Sequence, residues 1–204
     1  NYAYIIPGFL IIIIGGINGP LHNSVVAVLT PLSSKKARLV LKNVSIKITI
    51  LLFFIGLIIF FNASLLIKAI GPNLDPQTHL IAVNQLKILS PCIPLSGFTG
   101  LSYGALNTKK RFFISSISPA IISITTILFI SIAWIINYKN QSSDLIFKTD
   151  LLAIATLTGT LIQFIVQIFE LYKIHLLEFK FHLEKYTKEE KRIFNLIIPA
   201  SISS

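Results

Sequence analysis

The sequence predicts an all-α fold, a polytopic bundle of transmembrane helices, and three observations carry that expectation. Only 13% of the 204 residues are charged, against about 25% in an ordinary soluble domain. Apolar residues make up 53%, and the mean hydropathy is +0.77. The apolar residues also come in continuous runs that reach or exceed the roughly 20 residues a helix needs to cross a bilayer. They do not alternate as the strands of a membrane barrel do. This excludes intrinsic disorder, which needs low hydrophobicity. The net charge of +10 sits on an oily scaffold, whereas a nucleic-acid binder clusters its charge on a polar one, so no nucleic-acid partner is expected.

Residues 1–204 read as a single transmembrane domain, a fragment with five full spans and the start of a sixth. The first span, 2–30, is apolar but interrupted by Gly15-Gly16-Ile17-Asn18-Gly19-Pro20. The second, 44–70, is rich in Ile, Leu and Phe. The third, 80–106, holds Pro91, Pro94, Gly97, Gly100 and Gly104, which imply kinks and close helix approach. The fourth is 112–137 and the fifth 151–172. A sixth, 193–204, is truncated by the end of the sequence. The sequence has no Met and opens on Asn1-Tyr2-Ala3-Tyr4 with no charged segment before the first apolar run. A signal peptide is therefore not expected, and the chain reads as an internal piece of a longer protein. One cysteine, Cys92, excludes an internal disulfide or a cysteine metal cluster.

Charge alternates from one connection to the next. Residues 31–43 hold Lys35, Lys36, Arg38 and Lys42; residues 107–111 hold Lys109, Lys110 and Arg111; residues 173–192 hold six more Lys and Arg. The connection after the second span has no Lys or Arg, and the one after the fourth offsets Lys139 and Lys148 with Asp144 and Asp150. The excess of positive charge on cytoplasmic loops then places 31–43, 107–111 and 173–192 in the cytoplasm. The first span would run from outside to inside. Residues 171–192 are too polar to span and read as an interfacial connector, in which Thr187-Lys188-Glu189-Glu190 has the form of a capping box.

Catalytic constellations are missing, so an enzyme is not expected. No two carboxylates share a span, and of the eight acidic residues only Glu170 lies within one. His175 and His182 have same-face helical spacing but no third ligand, so neither a metal nor another cofactor is expected. Asn62-Ala63-Ser64 fits a glycosylation pattern that is frequent by chance. What stands out is polar, broken helix at membrane depth. Gly15, Gly16, Gly19 and Pro20 are hinge candidates in the first span, and Pro91 and Pro94 in the third. Freed backbone at that depth must be buried in protein or line a wet cavity, and discontinuous helices mark substrate pathways in transporters. Asn18 and His22 are four apart and would share a face, with Asn23 beside them. Gln163, Gln167 and Glu170 form one polar stripe on the fifth span. For both groups two readings stand: a cavity wall that binds substrate, or polar contacts packed dry between helices. Lys87 would snorkel to the interface or face a cavity.

These residues resemble the MurJ (MviN) family, in its cyanobacterial or plastid-like form. The resemblance rests on Asn1-Tyr2-Ala3-Tyr4-Ile5-Ile6-Pro7-Gly8-Phe9 with Gly15-Gly16-Ile17-Asn18-Gly19-Pro20-Leu21-His22, which is similar to that family's second span. It continues through Gln85-Leu86-Lys87-Ile88-Leu89-Ser90-Pro91, Gly97, Gly104-Ala105-Leu106-Asn107 and Arg111-Phe112, then Ser118-Pro119, Gly159, Gln163, Gln167 and Pro199. The resemblance implies a flippase of the multidrug/oligosaccharidyl-lipid/polysaccharide exporter superfamily. Such a protein moves lipid II, a lipid-linked peptidoglycan precursor, across the plasma membrane by alternating access. Its partners would be the lipid-linked oligosaccharide, membrane lipids and a coupling ion. The sequence departs from the family in one place: where many members carry arginines after the proline matched by Pro7, Leu10 to Ile14 are uncharged. Asn18 and His22 are the local polar substitutes. The alternatives are a polysaccharide-lipid flippase or cation-coupled drug exporter of the same superfamily, and a non-transporting membrane scaffold. A cation-coupled exporter would show acidic residues at mid-membrane, and this sequence shows none.

Overall fold

The computed structural model describes residues 2–8, 19–140, 145–177 and 187–203. Every element among them is helical: after a single 3-10 turn at Tyr2–Tyr4 come α1 (Pro20–Leu29), α2 (Ser34–Phe61), α3 (Ala63–Ile70), α4 (Pro76–Leu89), α5 (Cys92–Thr108), α6 (Phe112–Asn140), α7 (Leu145–Lys173) and α8 (Lys188–Ser203). Three stretches are long and apolar enough to cross a membrane: Ser34–Phe61, Phe112–Ile135 and Asp150–Lys173. The all-α bundle matches the expectation from sequence, while the helix boundaries differ in instructive ways.

The second span was expected at 44–70 behind a basic loop, but the helix begins at Ser34 and breaks at Asn62. The reason lies in the amphipathic start of α2. Ala37, Val40, Leu41 and Val44 are buried at helical spacing while Lys35 and Lys36 point outward, so the basic segment is solvated helix and not loop. At the other end the Asn62 side chain donates to the Ile58 carbonyl at 2.8 Å. The asparagine thereby caps the helix it ends, and α3 starts afresh.

The third span is likewise two helices. Pro91 has no N–H to offer the Lys87 carbonyl four residues back, and the Ser90 hydroxyl donates to that carbonyl instead, at 2.9 Å. Pro94 falls in the first turn of α5, where a missing N–H costs nothing. The kink expected from two prolines is therefore one break at Ser90-Pro91. Lys87, the charge within this span, lies with its ammonium 5.8 Å from the centre of the Phe60 ring, a cation–π contact. At the outset of α4, Asp75 accepts from the Thr78 amide at 2.9 Å. With Pro76 following, this is a complete N-terminal signal.

α5 is the centre of the bundle. All of its residues from Cys92 to Leu106 are buried except Leu95. It packs on α1, α2 and α7, and α6 pairs with α7 as an antiparallel hairpin. The absence of a polar face on α5 follows, since a helix surrounded on all sides has no side left for water. Two glycines bring neighbouring helix backbones close together. A Cβ at Gly104 would lie 2.6 Å from the His22 carbonyl oxygen of α1, and one at Gly159 would lie 2.8 Å from Ile122 Cα of α6. The apolar residues that remain outside, such as Phe53, Phe54 and Ile58 on α2 and Ile124, Ile127 and Leu128 on α6, form the lipid-facing surface expected of spans.

Helices α5 and α7 end in the same way. The Lys110 and Arg111 amides donate to the Asn107 and Leu106 carbonyls, and the His175 and Leu176 amides to those of Tyr172 and Leu171, all at 3.0 Å. Both are Schellman motifs. The left-handed residue is Lys110 (φ 57°) in one and His175 (φ 56°) in the other, where glycine is usual. α8 is tied to the start of α2 through its first turn. Lys36 pairs with Glu189 at 2.7 Å on the surface, which holds the Glu189 carboxyl below its ordinary pKa.

Candidate functional site

The polar residues singled out from sequence fall into separate groups. Asn18, Gly15 and Gly16 lie outside the described residues. Gly19 and Pro20 are described, and they begin α1: Gly19 is its N-cap in extended conformation and Pro20 its first residue. The sequence interruption thus coincides with a helix start. His22 follows in the first turn, buried, while Asn23 beside it is exposed.

His22 is the middle of a four-residue chain that ties three helices. Its Nδ1 lies 3.0 Å from Asn23 Oδ1. Its Nε2 lies 2.7 Å from Asn107 Nδ2, at the end of α5. The Asn107 Oδ1 in turn accepts from the Ser115 hydroxyl of α6 at 2.8 Å. This arrangement assigns the tautomer. Asn107 spends its oxygen on Ser115 and its N–H on His22, so Nε2 accepts and the proton of the neutral ring sits on Nδ1, donating to Asn23. The crossing that brings these residues together is the glycine contact at Gly104, one turn before Asn107. Asn107 and Ser115 were not singled out as site residues in the sequence; Asn107 appeared there only as part of the Gly104-Ala105-Leu106-Asn107 resemblance.

The stripe on the fifth span divides. Gln163 Nε2 donates to the Tyr103 hydroxyl of α5 at 2.6 Å, and Gln167 Nε2 donates to the Ser118 hydroxyl of α6 at 3.0 Å. Both glutamines are buried, and Gln167 Oε1 has no partner among the described residues. Of the two readings of the stripe, these residues occupy the interhelical one. Glu170, one turn on, instead reaches the helix end and lies 3.5 Å from Lys173.

A third group was not anticipated. Glu190 of α8 is fully buried, and its Oε1 accepts from Asn43 Nδ2 of α2 at 2.8 Å. Its other oxygen is bound by the Lys47 ammonium. The Glu190 amide donates to Thr187 Oγ1 at 3.3 Å, the backbone half of the capping box read in the sequence. The carboxylate that would complete the box reaches across to α2 as well. The periodicity of α8 gave no signal of this, because the partners lie more than 140 residues away.

The comparisons with known proteins agree with one another. The family described as "Lipid II flippase MurJ" matches residues 1–204. A protein of Synechocystis named "Probable lipid II flippase MurJ" is 34% identical over 205 residues, covering 100% of this chain and 38% of its own length. The "Lipid II flippase MurJ" of Thermosipho africanus is 26% identical over 126 residues, covering 62% of this chain and 26% of its own. The chain thus spans well under half the length of these relatives. No solved structure matches it significantly. With a family match over its whole length and an all-helical, membrane-crossing fold, the chain belongs to the MurJ family of lipid II flippases.

Proposed function

We propose that the protein is a transporter that moves lipid II, the lipid-linked peptidoglycan precursor, from the inner to the outer leaflet of the plasma membrane by alternating access. The observation that carries this reading is the family match over residues 1–204. In this reading the basic helix ends around Lys35, Lys36, Lys109 to Arg111 and Lys173 face the cytoplasm. The helix start at Gly19-Pro20 and the breaks at Asn62 and Ser90-Pro91 are the points about which helices turn, since bending there disturbs the fewest backbone hydrogen bonds. The substrate pathway runs along α1. Asn23 and Asn18 offer amide groups to the polar head of the substrate, and His22 orients Asn23 through the 3.0 Å bond to its Oδ1. Gln163 and Gln167 brace α7 against α5 and α6, and α5 in turn packs on α1.

The test uses the full-length protein. Asn18→Ala, Asn23→Ala and His22→Gln variants are made in cells that depend on it, and outer-surface exposure of labelled lipid II is measured. Reduced exposure in the variants at unchanged membrane abundance supports the site. Wild-type exposure in all three removes the site assignment. Failure of the unaltered protein to support any exposure removes the function itself.

A further inference from the structure

A groove outside the region assigned above lies where α5 turns into α6 beside the end of α7. Lys110, Arg111, Phe112 and Phe113 form one wall, and Glu170 and Lys173 the other. Its volume is about 490 Å³, within the range of about 300–1,000 Å³ of small-ligand sites. Three cationic side chains face it against a single carboxylate. That carboxylate, Glu170, is largely covered and already paired with Lys173. Lys173 is also held over the Phe169 ring at 5.0 Å. The two contacts restrict Lys173 before any ligand arrives, which lowers the ordering cost of binding. Among the described residues, neither Lys110 nor Arg111 is in an ion pair. Lys110 occupies the left-handed position of a Schellman turn, where a Cβ is costly.

The depth of the groove decides the ligand. Phe112 opens one membrane-crossing stretch and Lys173 closes another, so the groove lies at the end of two spans, in the headgroup layer. Phe112 and Phe113 are 56% and 72% exposed directly beside the cations. A free anion in water has no use for two exposed phenyl rings. A phospholipid places its phosphate on the cations and its acyl chains against the rings.

We infer that this groove binds the headgroup of an anionic phospholipid from the leaflet bounding the α5–α6 turn. It goes beyond the transport reading and does not depend on it: the site is peripheral, and the ligand is a resident lipid.

The experiment is native mass spectrometry of the full-length protein with added phosphatidylglycerol or phosphatidylcholine. Phosphatidylglycerol is expected to bind at least about tenfold more tightly. Each cation near a membrane surface is worth about a fivefold change, so Lys173→Gln should weaken phosphatidylglycerol about fivefold and Lys110→Ala/Arg111→Ala about 25-fold. Phosphatidylcholine binding should not change. Lys35→Gln, which removes an exposed cation of α2 that does not line the groove, should have no effect. Wild-type affinity in both groove variants overturns the site. An equal loss with Lys35→Gln overturns it in favour of diffuse charge. Displacement of the lipid by millimolar inorganic phosphate overturns the lipid in favour of a free anion. Should the double variant lose its melting transition, Lys173→Gln, at an exposed helix end, decides alone.

Discussion

Asn107 donates to His22 across 2.7 Å, and this bond fastens the first turn of α1 to the last turn of α5. Because Asn107 is at once held by Ser115 of α6, three helix ends depend on one amide. Replacing His22 by Ala leaves the Asn107 N–H without its acceptor. Unsatisfied groups of this kind cost about 1–3 kcal/mol when buried, and the lost ring adds a cavity. A loss of about 2–4 kcal/mol is expected, seen as a lower melting temperature of the detergent-solubilised full-length protein. His22→Gln, whose amide oxygen can accept from Asn107, should recover part of it. If Ala melts no lower than Gln, the bond does not hold the helices.

Glu190 is the strongest tie between α8 and α2. Glu190→Ala takes the carboxylate from buried Asn43 and from Lys47, whose side chain is 32% exposed, so the loss should fall below the about 3–5 kcal/mol of breaking a fully buried pair. Removing both charges together as Glu190→Leu/Lys47→Leu is expected to cost far less. The strain lies in the unpaired charge rather than in the loss of the pair. A double-mutant cycle on thermal or denaturant unfolding checks this; additive losses would show that the two residues act independently.

The cap on α4 should respond to acid. The Thr78 amide bond, donated to the carboxylate, holds Asp75 below its ordinary pKa of 3.8. A carboxyl with a depressed folded value stabilises the fold fully above its unfolded pKa, and the contribution is lost as pH falls through the folded one. At neutral pH the wild type should therefore melt above Asp75→Ala. The gap should close as pH falls below about 4, and Asp75→Asn, which caps without a charge, should show no such closure. A gap that persists unchanged at about pH 3 would mean the charge contributes nothing.

The all-α bundle with membrane-crossing helices was legible because it depends on composition, which is local. Helix breaks were partly legible: the prolines at 91 and 94 marked a kink, but which of them breaks the helix depends on Ser90 supplying the bond to the Lys87 carbonyl. The start of α2 was misread as loop because lysine counts for orientation and for solvation alike. The polar stripe was found, while its meaning was not, since Tyr103 and Ser118 reach it from other helices. Glu190 was read as half of a cap. Its contact with Asn43 spans a sequence separation that no periodicity reports.

The contact between Gly104 and the His22 carbonyl has a consequence for the order of synthesis. His22 and Asn107 are 85 residues apart. At about 5–20 residues per second of translation, His22 leaves the ribosome some 4–17 s before its partner. During that interval a buried imidazole has no mate, and three stretches of helix must be laid down before α5 arrives. The glycine then lets α5 close on α1 with no side chain to clear. The crossing that organises the bundle waits on α2, α3 and α4, yet it can form before α8 makes its contacts with α1 and α2.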